Sequence, residues 1–142
     1  MRALGIDLGS RRIGVAVSDS GGRLASPVEV VARSGDEARD HRRLLAIAEE
    51  YEVECIVVGL PLSLDGSLGP AAVAALAETE RLRATTDLPV DTYDERFTTV
   101  TADRSLMERN MKADARRRII DKVAAAVMLQ AWLDGRPGAS AD

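Results

Sequence analysis

Three acidic residues sit where carboxylates are costly to hold, and their neighbours suggest a shared task. Asp7 interrupts the apolar, strand-like run "ALGIDLGSRRIGVAVSD", just before a Gly-Ser-Arg-Arg turn. A desolvated carboxylate in such a run requires compensation. Glu95 lies just past the end of a second strand-like run, "LPVDTYDE", and shares a face with Asp91 and Tyr93 by period-two alternation. Asp121 belongs to the final helical pattern, with Ala124, Ala125 and Met128 following at i+3, i+4 and i+7. Three converging carboxylates repel one another, and divalent cations remove that penalty. Oxygen-only ligands select hard ions such as Mg²⁺ or Mn²⁺. Two such ions held close together activate water and stabilise the leaving oxygen in phosphodiester hydrolysis. A second reading of Asp7 is a turn cap bonding the amides of Gly9 and Ser10. The residue pattern alone leaves both open.

Basic residues raise the question of a phosphate-rich partner. The whole chain has a formal net charge of -4, yet the stretch from Arg96 to Lys122 carries eight basic residues against four acidic ones. Lys112, Arg116, Arg117 and Arg118 lie in this stretch and are candidate nucleic-acid contacts. A solvated helix face is the competing reading. Arg11 and Arg12 flank Asp7 at the hairpin tip, where they can meet a phosphate or simply face solvent. Asp19 and Asp65 precede glycine-containing turns and read as turn formers. His41 reads as a helix-surface residue, and Trp132 as packing for the last helix. The loop from Gly59 to Gly69 feeds a helix N-terminus, whose free amides can hold a phosphate.

The elements that must position these residues follow from periodicity. "RALGIDL" and "IGVAVSD" alternate and read as a hairpin closed by Gly9 to Arg12. "RLASPVEVVAR" reads as a third antiparallel strand, with Pro27 marking an edge or a bulge. Ser34 and Glu37 form a capping-box pattern ahead of a helix to about Tyr51. "VECIVVGL" is a continuous apolar run, as in a strand buried on both faces of a parallel sheet. A helix then begins at Pro70, a favourable first helical position, and the strand "LPVDTYDE" follows. Thr98 or Thr99 caps a helix to about Asn110, and a last helix runs from about Ala115 to Asp134. This order predicts an α/β fold: a five-stranded mixed sheet, antiparallel over strands 1–3 and parallel over strands 1-4-5, flanked by helices. Parallel strands 1, 4 and 5 would bring Asp7 and Glu95 to one sheet edge, where open α/β sheets bind ligands.

Composition bounds the alternatives. At 142 residues, 46% hydrophobic and 30% charged, the chain fits one domain with a full core. Residues 1–136 are expected to form that domain and 137–142 a frayed tail. The single Cys55 and single His41 leave no ordinary zinc ligand set. No apolar run approaches the roughly 20 residues that span a bilayer. The first residues enter a strand without a basic leader, so a cytoplasmic location without a membrane partner is expected.

Four blocks, "GIDLGSRRIGVAVSD", "VVGLPLSLDGSLGP", "YDERFTT" and "IDKVAAAVMLQAWL", resemble the YqgF family in order and spacing. They span nearly the whole chain. Phe97 stands where that family commonly has Leu. Members are described as Holliday junction resolvases and pre-16S rRNA processing nucleases with a ribonuclease H-like fold. The resemblance implies that Asp7, Glu95 and Asp121 are the metal-binding catalytic positions. It further implies a Mg²⁺- or Mn²⁺-dependent nuclease with a two-metal site, acting on structured RNA, foremost the 5′ end of pre-16S rRNA, or on branched DNA. A noncatalytic nucleic-acid-binding module is an alternative, although such modules typically lose acids that this chain keeps. "GIDLGS" also resembles the phosphate-binding hairpin of actin- and hexokinase-like proteins, which need two related domains where this length holds one.

Overall fold

A computed structural model describes residues 1–63, 65–97 and 114–136, with backbone alone at Phe97 and at 114–122. The expected helix ending near Asn110 and the expected tail at 137–142 lie outside the described residues. The elements are β1 (Ala3–Leu8), β2 (Arg12–Ser18), β3 (Ala25–Ala32), α1 (Glu37–Glu50), β4 (Cys55–Leu60), α2 (Pro70–Arg83), β5 (Val90–Asp94), a 3₁₀ turn (Glu95–Phe97) and α3 (Asp114–Asp134).

The sheet order is β3-β2-β1-β4-β5, antiparallel from β1 to β3 and parallel across β1, β4 and β5. This is the expected mixed sheet. Its two faces differ in kind because β1 alternates large and small side chains. Leu4 and Ile6 join Ile13, Val15, Ile56 and Val58 in a core closed by Leu44 and Ile47 of α1 and Leu82 of α2. Each such buried aliphatic side chain contributes about 1.5–3 kcal/mol relative to exposure. The other face presents Ala3, Ala16 and Val57, and Ala125, Met128, Leu129 and Leu133 of α3 cover it. All six residues of β4 are buried, as its unbroken apolar run requires of a strand with both faces covered.

At the edge, the β2–β3 register shifts between Val15 and Ala16, which face Glu29 and Pro27. Pro27 therefore lies at both an edge strand and an irregularity, where its missing N–H is tolerated. One boundary differs from expectation. The N-cap of α1 is Asp36, whose carboxylate accepts from the Arg39 amide at 3.2 Å. Ser34 is not the first residue of a capping box. Its hydroxyl instead accepts from the Asp36 amide at 3.1 Å, because Gly35 at φ 91° turns the chain before the helix starts. Among the described residues no helix is long and apolar enough to cross a membrane.

Candidate functional site

Asp7 occupies the next-to-last position of β1 and is 6% exposed. In register it pairs with Gly14 of β2 on one side and Gly59 of β4 on the other. Two residues without side chains thus flank the carboxylate in a sheet whose strands lie about 4.8 Å apart. The gap at Gly59 is filled from the 3₁₀ turn that follows β5. A Cβ built on Gly59 would lie 2.7 Å from Glu95 Oε1 and 3.2 Å from Met128 Cγ. Glu95, 2% exposed, therefore lays its carboxylate over the β4 position that pairs with Asp7. Both acids lie at the carboxyl edge of the parallel strands, Asp7 in β1 and Glu95 in the 3₁₀ turn after β5, where strand alternation no longer applies.

A local clamp aims Glu95 inward. Asp94 accepts from the Arg96 amide at 2.9 Å and from the Arg96 guanidinium at 2.9 Å through Nε and 2.5 Å through the terminal nitrogen. These bonds close a turn across Glu95. The Arg96 side-chain bond holds the Asp94 carboxyl below its ordinary pKa. Arg96 belongs to the basic stretch of the sequence, but its charge is matched by Asp94. The signal that could have found this clamp is the Asp-x-Arg spacing around the acid, which matches an Asx-type turn.

The third acid is approached through α3. A Cβ on Gly5 would lie 2.8 Å from Leu129 Cβ and 3.3 Å from the Ala125 carbonyl oxygen. Glycine at this position allows the helix to lie directly on the strand. Arg136, past the end of the helix, reaches Met1, so α3 runs antiparallel to β1 and its earlier turns lead towards the Asp7 end. The backbone of Asp121 lies four residues before Ala125, one turn or about 6 Å further along that direction. The Asp121 side chain lies outside the described residues.

The remaining assignments divide. The Gly9 amide donates to the Arg12 carbonyl at 3.0 Å, closing the hairpin, so one of the two amides in the turn-cap reading of Asp7 is engaged elsewhere. Arg11 is exposed at the hairpin tip and Arg12 half-buried. Arg116, Arg117 and Arg118 occupy the first turns of α3, with side chains outside the described residues, as is the whole of Lys112. Asp19 accepts from the amides of Arg23 and Leu24, and Asp65 from that of Ser67, so both are the expected turn formers. Trp132 of α3 is partly buried against the core between that helix and the sheet, and it donates to Asp91 at 3.0 Å. Cys55 is buried, and burial pushes its thiol pKa up.

His41 corrects the sequence reading. It is 3% exposed, not a surface residue, and its Nε2 lies 2.8 Å from Glu78. A lone histidine in "DHRR" carries no sign of this, because its partner comes from α2, 37 residues later. Glu37, His41 and Glu78 place potential metal-ligand atoms within 4.8 Å of one another. Their carboxylates are nevertheless engaged, Glu78 by both terminal nitrogens of Arg33 and Glu37 by Arg81. A cation there would have to displace two guanidinium groups. The donor set at Asp7 and Glu95 is different: two buried carboxylates that offer oxygen alone. It suits Mg²⁺ or Mn²⁺.

Comparison with known proteins identifies the family and the fold. A family model described as "RuvX: Holliday junction resolvase" matches residues 1–135. A protein of Rhodococcus erythropolis (strain PR4 / NBRC 100887), named "Putative pre-16S rRNA nuclease", is 52% identical over 139 residues, covering 95% of this chain and 78% of the relative. A protein of the same name from Geobacillus thermodenitrificans (strain NG80-2) is 46% identical over 139 residues, covering 96% and 99%. Among solved structures, Thermus thermophilus RuvC in complex with a Holliday junction substrate superposes with a TM-score of 0.59 at 20% identity, covering 98% of both chains. That likeness is one of fold, and it makes the mixed sheet a ribonuclease H-like one. With nearly its full length matched by the family model and half its residues shared with curated relatives, the chain belongs to the RuvX family, the YqgF family of the resemblance.

Proposed function

We propose that this chain is a nuclease that hydrolyses phosphodiester bonds in structured RNA, with the 5′ end of pre-16S rRNA as its foremost substrate. The observation that carries the reading is the seat of the Glu95 carboxylate on Gly59, the β4 partner of Asp7. Asp7 and Glu95 would hold Mg²⁺ or Mn²⁺, with Asp121 as the third ligand from α3, in one domain spanning 1–136. When bound, the ion supplies the positive charge that makes water a nucleophile near neutral pH and stabilises a departing 3′ oxygen.

The chain's own residues do the rest. Held at the sheet edge before any ligand arrives, the two carboxylates would need little reorganisation on binding. Arg11 at the hairpin tip, with Arg12, Lys112, Arg116, Arg117 and Arg118, would bind the backbone of the nucleic acid and set its register. The rRNA substrate is preferred because relatives at 46–52% identity carry that name. Branched DNA is the second reading, favoured by the family's own description.

A matched substrate panel tests the proposal: a pre-16S hairpin, single-stranded RNA and a four-way DNA junction, each with Mg²⁺ and with Mn²⁺. Cleavage of the hairpin by wild type and none by Asp7→Asn supports it. Junction cleavage alone moves the assignment to DNA. Binding without cleavage of any substrate makes the chain a noncatalytic module.

A further inference from the structure

One residue outside the candidate site, Arg33, grips the β1–β2 hairpin that carries Asp7. Arg33 reaches it twice, donating its backbone N–H to the Arg11 carbonyl at 2.9 Å and its Nε to the Gly9 carbonyl at 2.7 Å. The remaining guanidinium nitrogens form a two-pronged pair with Glu78 at 3.0 and 2.8 Å. Glu78 also accepts from His41 at 2.8 Å. Glu78 and His41 are 6% and 3% exposed, so this is a buried network joining α1, α2, the end of β3 and the hairpin.

Burying charge for its own sake is a poor route to stability, since desolvation offsets much of the attraction. Such networks serve better when they fix geometry. Burial raises the Glu78 pKa, but the bonds from Arg33 and His41 outweigh it and hold the net value below the ordinary one. Glu78 is therefore ionised, and His41 Nε2 is the donor. A planar guanidinium with one edge on a carboxylate has one orientation left for its Nε, here along the Gly9 carbonyl. Gly9 lies two residues after Asp7.

We propose that His41, Glu78 and Arg33 are positioning residues: they hold the Gly9 carbonyl, and through it the hairpin, so that Asp7 keeps the geometry needed to bind a divalent ion with Glu95. The inference rests on the metal-binding reading above and adds to it a set of residues that touch neither metal nor substrate. Outer partners that orient metal ligands influence affinity strongly even without contacting the ion.

The test is a Mn²⁺ titration of the full chain, read as the shift in melting temperature, for wild type, Arg33→Gln, Glu78→Gln, His41→Gln and His41→Leu. Arg33→Gln and Glu78→Gln should raise the half-saturating Mn²⁺ concentration roughly tenfold, the lower end of outer-partner effects. The Mn²⁺ needed for half-maximal cleavage should rise by the same factor, with activity recovered at saturating ion. His41→Gln keeps an N–H for Glu78 and should stay close to wild type, whereas His41→Leu should not. Should Glu78→Gln fail to fold, His41→Leu and Arg33→Gln carry the test. Lower melting temperatures with an unchanged half-saturation point in these variants would make the network merely structural and overturn the proposal. A wild type whose melting ignores Mn²⁺ overturns the metal-binding reading itself, and the positioning role with it.

Discussion

At the scale of single residues, the candidate site depends on side chains that are absent. Gly59 leaves the volume in which the Glu95 carboxylate lies, and Gly14 is the partner of Asp7 on its other flank. Gly59→Ala would place a methyl 2.7 Å from Glu95 Oε1 and 3.2 Å from both Glu95 Cγ and Met128 Cγ. Overpacking of this kind costs about 1–3 kcal/mol. The variant should remain folded and lose most of its cleavage, which circular dichroism and a hairpin-cleavage assay would check together. Wild-type cleavage by Gly59→Ala would mean that Glu95 does not act from this seat. Asp7 was legible in the sequence because an acid inside an alternating apolar run is conspicuous. The seat of Glu95 was not, since it depends on which residue of β4 lies beneath the end of β5. Periodicity places a residue on a face but not opposite a particular neighbour. His41 was misjudged for the same reason: local pattern marks helix faces, and its partner lies on another helix.

At the scale of elements, the decisive fit is that of α3 on the sheet. Gly5 meets Leu129 and Ala125 at distances that no Cβ could share without a shift. Gly5→Ala should push α3 away from β1, at about 1–3 kcal/mol. Since α3 also carries Asp121, metal response should fall along with stability. A stable Gly5→Ala protein with a wild-type Mn²⁺ response would separate α3 seating from the site. The small residues Ala124 and Ala125 announced a close helix, and the six-residue apolar run of β4 announced burial on both sides. The start of α1 was less readable, because Ser34 and Asp36 are both good cap residues. The observed cap is Asp36, so Asp36→Ala should lower stability by about 1 kcal/mol in a denaturant titration. A negligible change would leave α1 held by its apolar contacts and its ion pairs rather than by its cap.

At the scale of the whole molecule, several acids have their pKa values lowered on folding, among them Glu78, Glu37 and Asp94. A carboxylate with a folded pKa below its unfolded one binds more protons when unfolded, so stability rises with pH through that interval. For Glu78 the contribution is complete above its ordinary value of 4.5 and is lost as pH falls through the lower folded value. Stability should therefore decline on acidification below about pH 4.5, and Glu78→Gln should flatten part of that decline. Melting temperatures measured from pH 7 to pH 3 would show it, and parallel curves for both proteins would exclude Glu78 as a source.

The central claim is that Asp7 is placed in β1 to hold a divalent ion. Melting curves of wild type and Asp7→Asn, each with and without Mn²⁺, test it most directly. Like charges held together by the fold are relieved in Asp7→Asn, so without metal it should melt at or above the wild-type temperature. An ion that binds only the folded chain stabilises it by about 2.7 kcal/mol at a hundredfold excess over Kd. Wild type should show that gain and Asp7→Asn much less. A mutant that melts below wild type, by about the 1 kcal/mol of a lost cap, with both proteins responding equally to Mn²⁺, would make Asp7 a structural turn residue and contradict the metal site.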